Sequence, residues 1–330
     1  MAFPSSVSDI LATTIQSRSR KISDNVTKNN AILMRLSQKG KHKPFSGGSN
    51  IMQELSFAEN SNGGWYSGYD ILPVGVSDVI SAAEFNIKQC AVPVVISGLE
   101  MLQNSGRERM IDLMDGRLTV AESTMKNIIA EGLYSDGTGS GFKQIDGLNA
   151  AIPNVATASQ TNTYGGIDRT PAIGAFWRSR YSAPAAGTGL TGTVLQPAWN
   201  GLWASCSRGS DRPDLIMADS TVWAAYMGSL QAQQRFTDST TGNLGFPSLK
   251  FMDADVVLDG GIGGYCPAGT AFFLNTDYLF YRPHTARNMV PLSPNKRYAT
   301  NQDAEVQILA WAGNLACSGA QYQGRYYAAP

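Results

Sequence analysis

The chain has 330 residues, enough for one large domain or two smaller ones with a substantial core. Its 26 Lys and Arg residues balance 26 Asp and Glu, and charged residues make up only 16% of the chain, which favours association between copies over dispersal as monomers. No run of 18 apolar residues occurs, so we expect no membrane-spanning segment.

The first 44 residues are basic, with eight Lys or Arg against two Asp, so they carry +6 and the remaining chain carries −6. A narrow apolar stripe over residues 5–38 predicts a helix that lies on another surface. No aromatic residue separates the cations, which favours contact with phosphates or acidic protein surface over base readout. The simpler alternative is that this basic segment and the stretch after it, which has no Lys or Arg, are two solvated surfaces. The cations are Arg18, Arg20, Lys21, Lys28, Arg35, Lys39, Lys41 and Lys43.

Residues 49–75 have the pattern of a long hairpin in a stretch, 45–87, that contains no Lys or Arg. The turn is predicted at Glu59–Gly64, where residues that tolerate positive φ follow one another. We expect this hairpin to need support from a neighbouring chain, because it has no helix beside it in sequence. The apolar face of its first strand comprises Ile51, Leu55 and Phe57, with Met52 on the other face; its return strand opens with Trp65, Tyr66 and Tyr69; its acidic residues include Glu54, Glu59 and Asp70.

The strongest helix signal follows a strand predicted from Phe85 to Ile96, in which Pro93 indicates an edge or a bulge. Apolar residues then recur at spacings of three and four, which predicts a helix over about 107–133. Its apolar positions are Ile111, Met114, Leu118, Ala121, Met125 and Ile128.

Residues 134–210 are rich in Gly, Ala, Thr, Ser and Pro, and three tryptophans favour ordered loops on a packed surface. A second helix is predicted after an N-cap at Asp219 or Ser220, with a buried face of Val222, Trp223, Tyr226, Met227 and Leu230. Strands are predicted at Val256–Leu258, Ala271–Leu274, Tyr278–Tyr281 and Glu305–Trp311. These elements do not alternate regularly, so the predicted fold class is α+β.

No motif predicts catalysis, a metal or a cofactor. The two histidines, His42 and His284, have no metal-ligand spacing, and the four cysteines form no CxxC pair, so buried free thiols are expected. The glycine-rich stretch Gly137–Lys143 lacks the order of a phosphate-binding loop and is interpreted as a turn. A hydrolase built on the Ser- and Gly-rich middle of the chain is a minor alternative.

Seven stretches, taken in order, carry a resemblance to a known family: KISDNVTKNNAILMRL (residues 21–36), GGSNIMQELSFAENSNGGWYSGY (47–69), SGLEMLQNSGRER (97–109), LYSDGTGSGFKQIDGL (133–148), YGGIDRTPAIGAFWR (164–178), PDLIMADSTVWAAYMGSLQAQQRF (213–236) and AWAGNL (310–315). Together they resemble the major capsid proteins of tailed bacteriophages, whose fold is named after phage HK97.

This resemblance implies an HK97-like fold divided into named regions. They are an N-terminal arm (1–44), an extended E-loop hairpin (45–80), a P-domain with a spine helix (81–148, the helix about 107–133), an A-domain (149–270) and return strands shared by the P-domain and A-domain (271–330). The E-loop residues and basic arm residues given above would then lie between subunits, with the arm facing either a neighbour or DNA.

The resemblance further implies a non-enzymatic structural protein without cofactors, which self-assembles in the bacterial host cytoplasm into the virion capsid. Hexamers and pentamers would form an icosahedral shell around double-stranded DNA. Implied partners are other copies of the chain, a portal, a separate scaffolding protein and a decoration protein, with no membrane. An encapsulin-like compartment shell is the main alternative. The E-loop carries no lysine, so we expect none of the covalent crosslinking known in HK97.

Overall fold

The structure is a computed structural model that describes residues 31–72, 74–103, 107–185, 189–230, 248–259, 264–292, 297–298 and 303–328. Four cations of the predicted arm, Arg18, Arg20, Lys21 and Lys28, lie outside the described residues. The α-helices are α1 (Ala31–Gln38), α2 (Gly98–Gln103), α3 (Arg107–Leu133), α4 (Leu148–Ala151), α5 (Gly192–Cys206) and α6 (Ser220–Ser229). The other helical elements among the described residues are a single turn at Gly139–Phe142 and 3-10 helices at Thr157–Ser159, Ala172–Trp177, Thr276–Tyr278 and Ala320–Tyr322.

Fourteen strands accompany these helices in the part of the chain that the structure describes. They are β1 (Asn50–Ser56), β2 (Ile80–Asn86), β3 (Lys88–Ser97), β4 (Thr163–Tyr164), β5 (Ile167–Asp168), β6 (Arg180–Ser182), β7 (Leu215–Ala218), β8 (Ser248–Phe251), β9 (Ala254–Leu258), β10 (Thr270–Leu274), β11 (Leu279–Pro291), β12 (Arg297–Tyr298), β13 (Ala304–Cys317) and β14 (Gly324–Tyr327). The mixture of helix and sheet without regular alternation confirms the α+β prediction.

A six-stranded mixed sheet has the order β6-β14-β10-β7-β9-β8. Its strands β7 and β10 are buried on both faces, because apolar side chains fill every position of both strands apart from Thr270. Helices α5 and α6 pack on one face through a cluster centred on Trp199, whose ring meets Tyr226, Phe251 and Phe273 at 4.9 to 5.3 Å. Aromatic pairs of this kind add stability beyond the area that they bury.

Helix α5 corrects the prediction of loops between residues 134 and 210. Its sequence contains Gly192 and Pro197, which lower helix propensity. Leu195, Trp199 and Leu202 nevertheless fall on one helical face and are fully buried. Burial of this apolar face outweighs the poor local propensity, which a local reading of composition does not reveal.

A four-stranded sheet forms the other half of the body. Strand β13 is central, with β11 and β12 along one edge and β3 along the other. Within the described residues β3 pairs only with β13, so Pro93 lies on an edge strand as predicted. The predicted single strand from Phe85 to Ile96 is in fact two, because the chain leaves the β1 ladder at Asn86 and joins β13 from Lys88.

Helix α3 covers β3 and matches the predicted 107–133 span. Leu118, Ala121 and Met125 are buried as predicted, whereas Ile128 is exposed and Ile129 takes the buried position. The apolar stripe moves by one residue because 3.6 residues per turn drift against a repeat of 3.5. The side chains of the predicted positions 111 and 114 lie outside the described residues.

The first described segment packs on the body of its own chain. Ile32 and Leu36 of α1 are fully buried in the main core. After Gly40, at φ +65°, the backbone runs beside β11, where Lys43 N–H donates to Tyr281 O at 3.0 Å and Phe45 N–H donates to Pro283 O at 3.1 Å. In the part of the chain that the structure describes, no helix is both long and apolar enough to cross a bilayer.

Candidate functional site

Strands β1 and β2 form an antiparallel stem in which Ile51 pairs with Phe85 and Leu55 pairs with Ser81. The alternation predicted for β1 is confirmed, with Ile51 and Leu55 buried and Met52 exposed. Both buried residues belong to the core of their own chain. Ile51 and Leu55, which were expected at a neighbouring subunit, therefore pack in this structure between the stem and the body of their own chain.

The stem carries a loop, residues 57–79, which we call the apolar loop. Phe57 N–H donates to Val79 O at 3.1 Å and closes its base. The predicted return strand at residues 65–75 is corrected, since the strand begins only at Ile80. Inside the loop Asn62 Nδ2 donates to Gly75 O at 2.6 Å, and Asp70 accepts from Ser67 N–H at 2.8 Å.

Large apolar side chains of the apolar loop point into solvent. Those that are fully or almost fully exposed are Trp65, Tyr69, Ile71, Val74 and Val76, and Tyr66 and Leu72 are more than half exposed. A contiguous set of this kind on a protein surface normally marks an interaction site. Burying each of these side chains against a partner is worth roughly 1.5–3 kcal/mol before the costs of ordering.

Sequence reasoning found the three aromatic residues of this set and missed the four aliphatic ones. Ile71, Leu72, Val74 and Val76 alternate with Gly and Pro, which is typical of turns and obscures the apolar pattern. The signal that could have revealed these four residues is that no apolar strand is predicted nearby with which they could pair. Phe57, also expected at the neighbour, is half-buried and packs at 5.6 Å on Phe176 of the same chain.

The acidic residues of this region are exposed. Glu54 and Glu59 line a cleft of about 520 Å³ between the end of β1 and the body, together with aromatic residues that include Tyr278 and Tyr322. Asp70 caps a turn within the apolar loop. These carboxylates accept no hydrogen bond from a described Lys or Arg side chain.

The cations of α1 and the segment after it pair within the chain. Arg35 Nε lies 3.1 Å from Asp214, Lys39 Nζ lies 3.2 Å from both Asp214 and Asp277, and Lys41 Nζ lies 3.8 Å from Asp277. This arrangement differs from the expectation of contacts to a neighbour or DNA, because acidic groups on the body already neutralise these charges. Lys43 is exposed, with Nζ 5.2 Å from the centre of the Phe280 ring.

The other residues considered for chemistry occupy structural positions. His42 stacks on Tyr281 at 5.2 Å and His284 packs edge-on against Phe45 at 5.0 Å. Residues 137–143 form the predicted turn. No group of three metal-ligating side chains occurs among the described residues.

The cysteines are free thiols, as predicted. Burial raises the pKa of Cys90 to about 11 and the pKa of Cys206 and Cys317 to about 12. A thiol with so high a pKa is protonated at neutral pH and is a poor nucleophile. These thiols therefore give no support to cysteine-based chemistry.

Comparison with known proteins connects this geometry to one kind of fold. No family model matches the chain, and no curated protein sequence matches it. Among solved structures, the cyanophage A-1(L) capsid asymmetric unit is 16% identical with a TM-score of 0.62, covering 89% of this chain and 92% of its own.

Two further structures are similar over comparable lengths. The capsid of a native GTA particle is 13% identical with a TM-score of 0.61, covering 89% of this chain and 90% of its own. A structure from Mycobacterium phage Bobi is 9% identical with a TM-score of 0.53, covering 88% and 90%. The chain therefore has the fold of tailed-phage capsid proteins, which confirms the predicted HK97-like fold.

Proposed function

We propose that this chain is the structural subunit of a phage-type capsid shell and that its apolar loop covers a neighbouring copy in that shell. The projecting set of exposed aromatic and aliphatic side chains carries the proposal, because it is too apolar to remain in water without a partner. The capsid fold and the charge-poor composition support the same function.

In this proposal the chain works by self-association and needs no catalysis or cofactor. Copies form hexamers and pentamers, which close into an icosahedral shell around double-stranded DNA in the virion. Each contact through Trp65, Tyr66 and Tyr69 contributes modestly, and repetition around a closed lattice makes the shell stable. A portal, a scaffolding protein and a decoration protein are the further partners, and assembly takes place in the host cytoplasm.

The proposed domains keep the predicted boundaries, with α3 as the spine of the P-domain and the six-stranded sheet as the centre of the A-domain. The basic arm is proposed to act through Arg18, Arg20, Lys21, Lys28 and Lys43, because Arg35, Lys39 and Lys41 have acidic partners on their own body. The arm would meet DNA phosphates or the exposed carboxylates Glu54 and Glu59 of a neighbour. Either contact weakens as salt is added.

The triple variant Trp65→Ser/Tyr66→Ser/Tyr69→Ser tests the proposal. These side chains are exposed in the single chain, so the variant should unfold at the temperature of the wild type. Sedimentation velocity should show large assemblies for the wild type and only small species for the variant. Ile173→Ser, at an exposed apolar position outside the loop, is the matched control and should assemble. Equal assembly of the triple variant would contradict the proposed role of the loop.

A further inference from the structure

Two clefts are lined in part by residues of the stem of the apolar loop. The 520 Å³ cleft separates the end of β1 from the body. A second cleft of about 790 Å³ is lined by Glu84 and Asn86 of β2 and by the turn that joins β4 to β5. The direction in which the loop projects therefore depends on how the stem is attached to the body, through the buried side chains Ile51, Leu55 and Phe85 and through aromatic and backbone contacts.

Four successive aromatic contacts join the two strands of the stem through the body. Phe85 of β2 meets Tyr164 edge-on at 5.2 Å, Tyr164 stacks on Trp177 at 6.0 Å, Trp177 meets Phe176 at 6.0 Å, and Phe176 meets Phe57 at 5.6 Å. We call these five residues the aromatic brace. Each pair adds roughly the strength of one aromatic contact to the attachment of the stem.

The body holds the brace firmly at its centre and loosely at one end. Trp177 is fully buried, and its Nε1 donates to Tyr164 O at 2.9 Å. Phe176 and Phe57 are only half-buried at the edge of the 520 Å³ cleft. The pair formed by Phe57 and Phe176 is thus the contact of the brace that joins the base of the apolar loop to the body beside the cleft.

A backbone contact holds the other strand. Glu84 N–H donates to Gly165 O at 2.9 Å, in a turn where Gly165 has φ +57°. A Cβ at this glycine would lie 3.0 Å from Phe85 Cζ and 3.1 Å from Ala83 Cβ, so the turn fits closely against β2. Strand β2 is therefore held to the body by a backbone hydrogen bond as well as by buried side chains, whereas the contact at the loop end of β1 is made through Phe57.

We infer that the aromatic brace sets the angle at which the apolar loop leaves the body, and that this angle determines the curvature of the contact between copies. The inference rests on the proposed shell function. In a closed lattice the relative orientation of neighbours decides whether, and at what radius, the structure closes. A stem free to tilt would still bind its neighbour, but over a range of angles.

Phe176→Ala tests the inference, with Ile173→Ala on the same 3-10 helix as the matched control, because Ile173 is exposed and outside the brace. Hydrogen exchange of the unassembled protein should become at least roughly tenfold faster over residues 50–57, the strand that ends at Phe57, in Phe176→Ala, the size expected for loss of one or two aromatic contacts. Residues 304–317 should keep wild-type rates in both variants. Phe57→Leu replaces Phe176→Ala if that variant does not fold, with the same expected results.

Electron microscopy of assembled particles supplies the second readout. Phe176→Ala should give particles of mixed diameter, and Ile173→Ala should give the uniform diameter of the wild type. Wild-type exchange rates in Phe176→Ala would contradict the inference that the aromatic brace holds the stem. Faster exchange with an unchanged distribution of particle diameters would contradict the inference that the brace determines the curvature of the contact between copies. If the wild type forms no particles, the proposed function fails, and the exchange rates still decide whether the brace holds the stem.

Discussion

Arg35 Nε of helix α1 lies 3.1 Å from Asp214 Oδ2 at the start of strand β7, and this ion pair attaches the first described helix to the six-stranded sheet. The same carboxylate accepts from Thr276 N–H at 2.7 Å and from Thr276 Oγ1–H at 2.8 Å. One acidic side chain thus holds a helix, a strand and a 3-10 turn together. Its partners make it a structural residue even though it lies near the surface.

Replacing Asp214 by Asn should therefore destabilise the chain. The variant leaves Arg35 and Lys39 without their shared partner, and we expect a loss of about 1–3 kcal/mol in the free energy of unfolding, measured by urea titration. Asp253→Asn is the control, because its ion pair with Arg212 at 2.6 Å is more than half exposed on both sides. It should change stability by no more than about 0.5 kcal/mol. Equal effects of the two variants would contradict this reading of Asp214.

Helix α6 has its N-cap at Asp219, which decides between the two residues that the sequence left open. The Asp219 carboxylate accepts from Thr221 N–H at 3.2 Å and from Gly269 N–H at 3.0 Å. Asp219→Ala should cost about 1–2 kcal/mol, and Ser220→Ala should cost less than about 0.5 kcal/mol. Thermal unfolding of both variants checks the difference, and a larger loss for Ser220→Ala would show that the cap is misassigned.

The carboxyl of Asp259 accepts a hydrogen bond from the O–H of Tyr134, the residue that follows the last residue of helix α3. Burial raises the pKa of Asp259 above its ordinary value of 3.8, although the hydrogen bond from Tyr134 opposes this effect. A group whose pKa is higher in the folded state binds more protons there, so its contribution to stability falls as pH rises. The loss begins near the unfolded pKa, about 4, and continues through the raised folded pKa.

Asp259→Asn removes this titration. The free energy of unfolding of the wild type, minus that of the variant, should decrease as pH rises from about 4 toward neutrality. Urea titrations at a series of pH values measure the difference, which cancels the titration of every other carboxyl. A difference that stays constant across this pH range would contradict the conclusion that burial raises the pKa of Asp259.

Assembled particles should contain no covalent links through the apolar loop. Residues 45–87 contain no lysine, and Lys88 is buried with its Nζ donating to Phe142 O at 2.7 Å. A denaturing gel of mature particles should therefore show one band at the mass of the single chain. A ladder of higher bands would show a crosslinking chemistry that this loop does not offer.

The elements that sequence predicted well are those with a local cause. Helix α3 follows from the regular spacing of Leu118, Ala121 and Met125, and the alternation in β1 follows from one face being buried. Helix α5 was missed because its stability comes from packing around Trp199 and not from propensity.

Register and partner choice could not be predicted in the same way. The aromatic residues at 65–69 have strand propensity, but β1 pairs with Ile80–Asn86, since only there do Ala83 and Phe85 bring buried groups opposite β1. The distribution of charge along the sequence located the basic segment, but it did not predict which acidic residues pair with that segment. Asp214 is 179 residues away from Arg35 in sequence, and only the fold brings the two together.

Electron microscopy of the purified full-length chain, alone and co-expressed with a scaffolding protein, tests the central claim most directly. The account predicts closed shells, tubes or six-fold rings in at least one preparation. A monodisperse single chain at high concentration in both preparations would contradict the shell function. The exposed side chains of the apolar loop would then need a different partner.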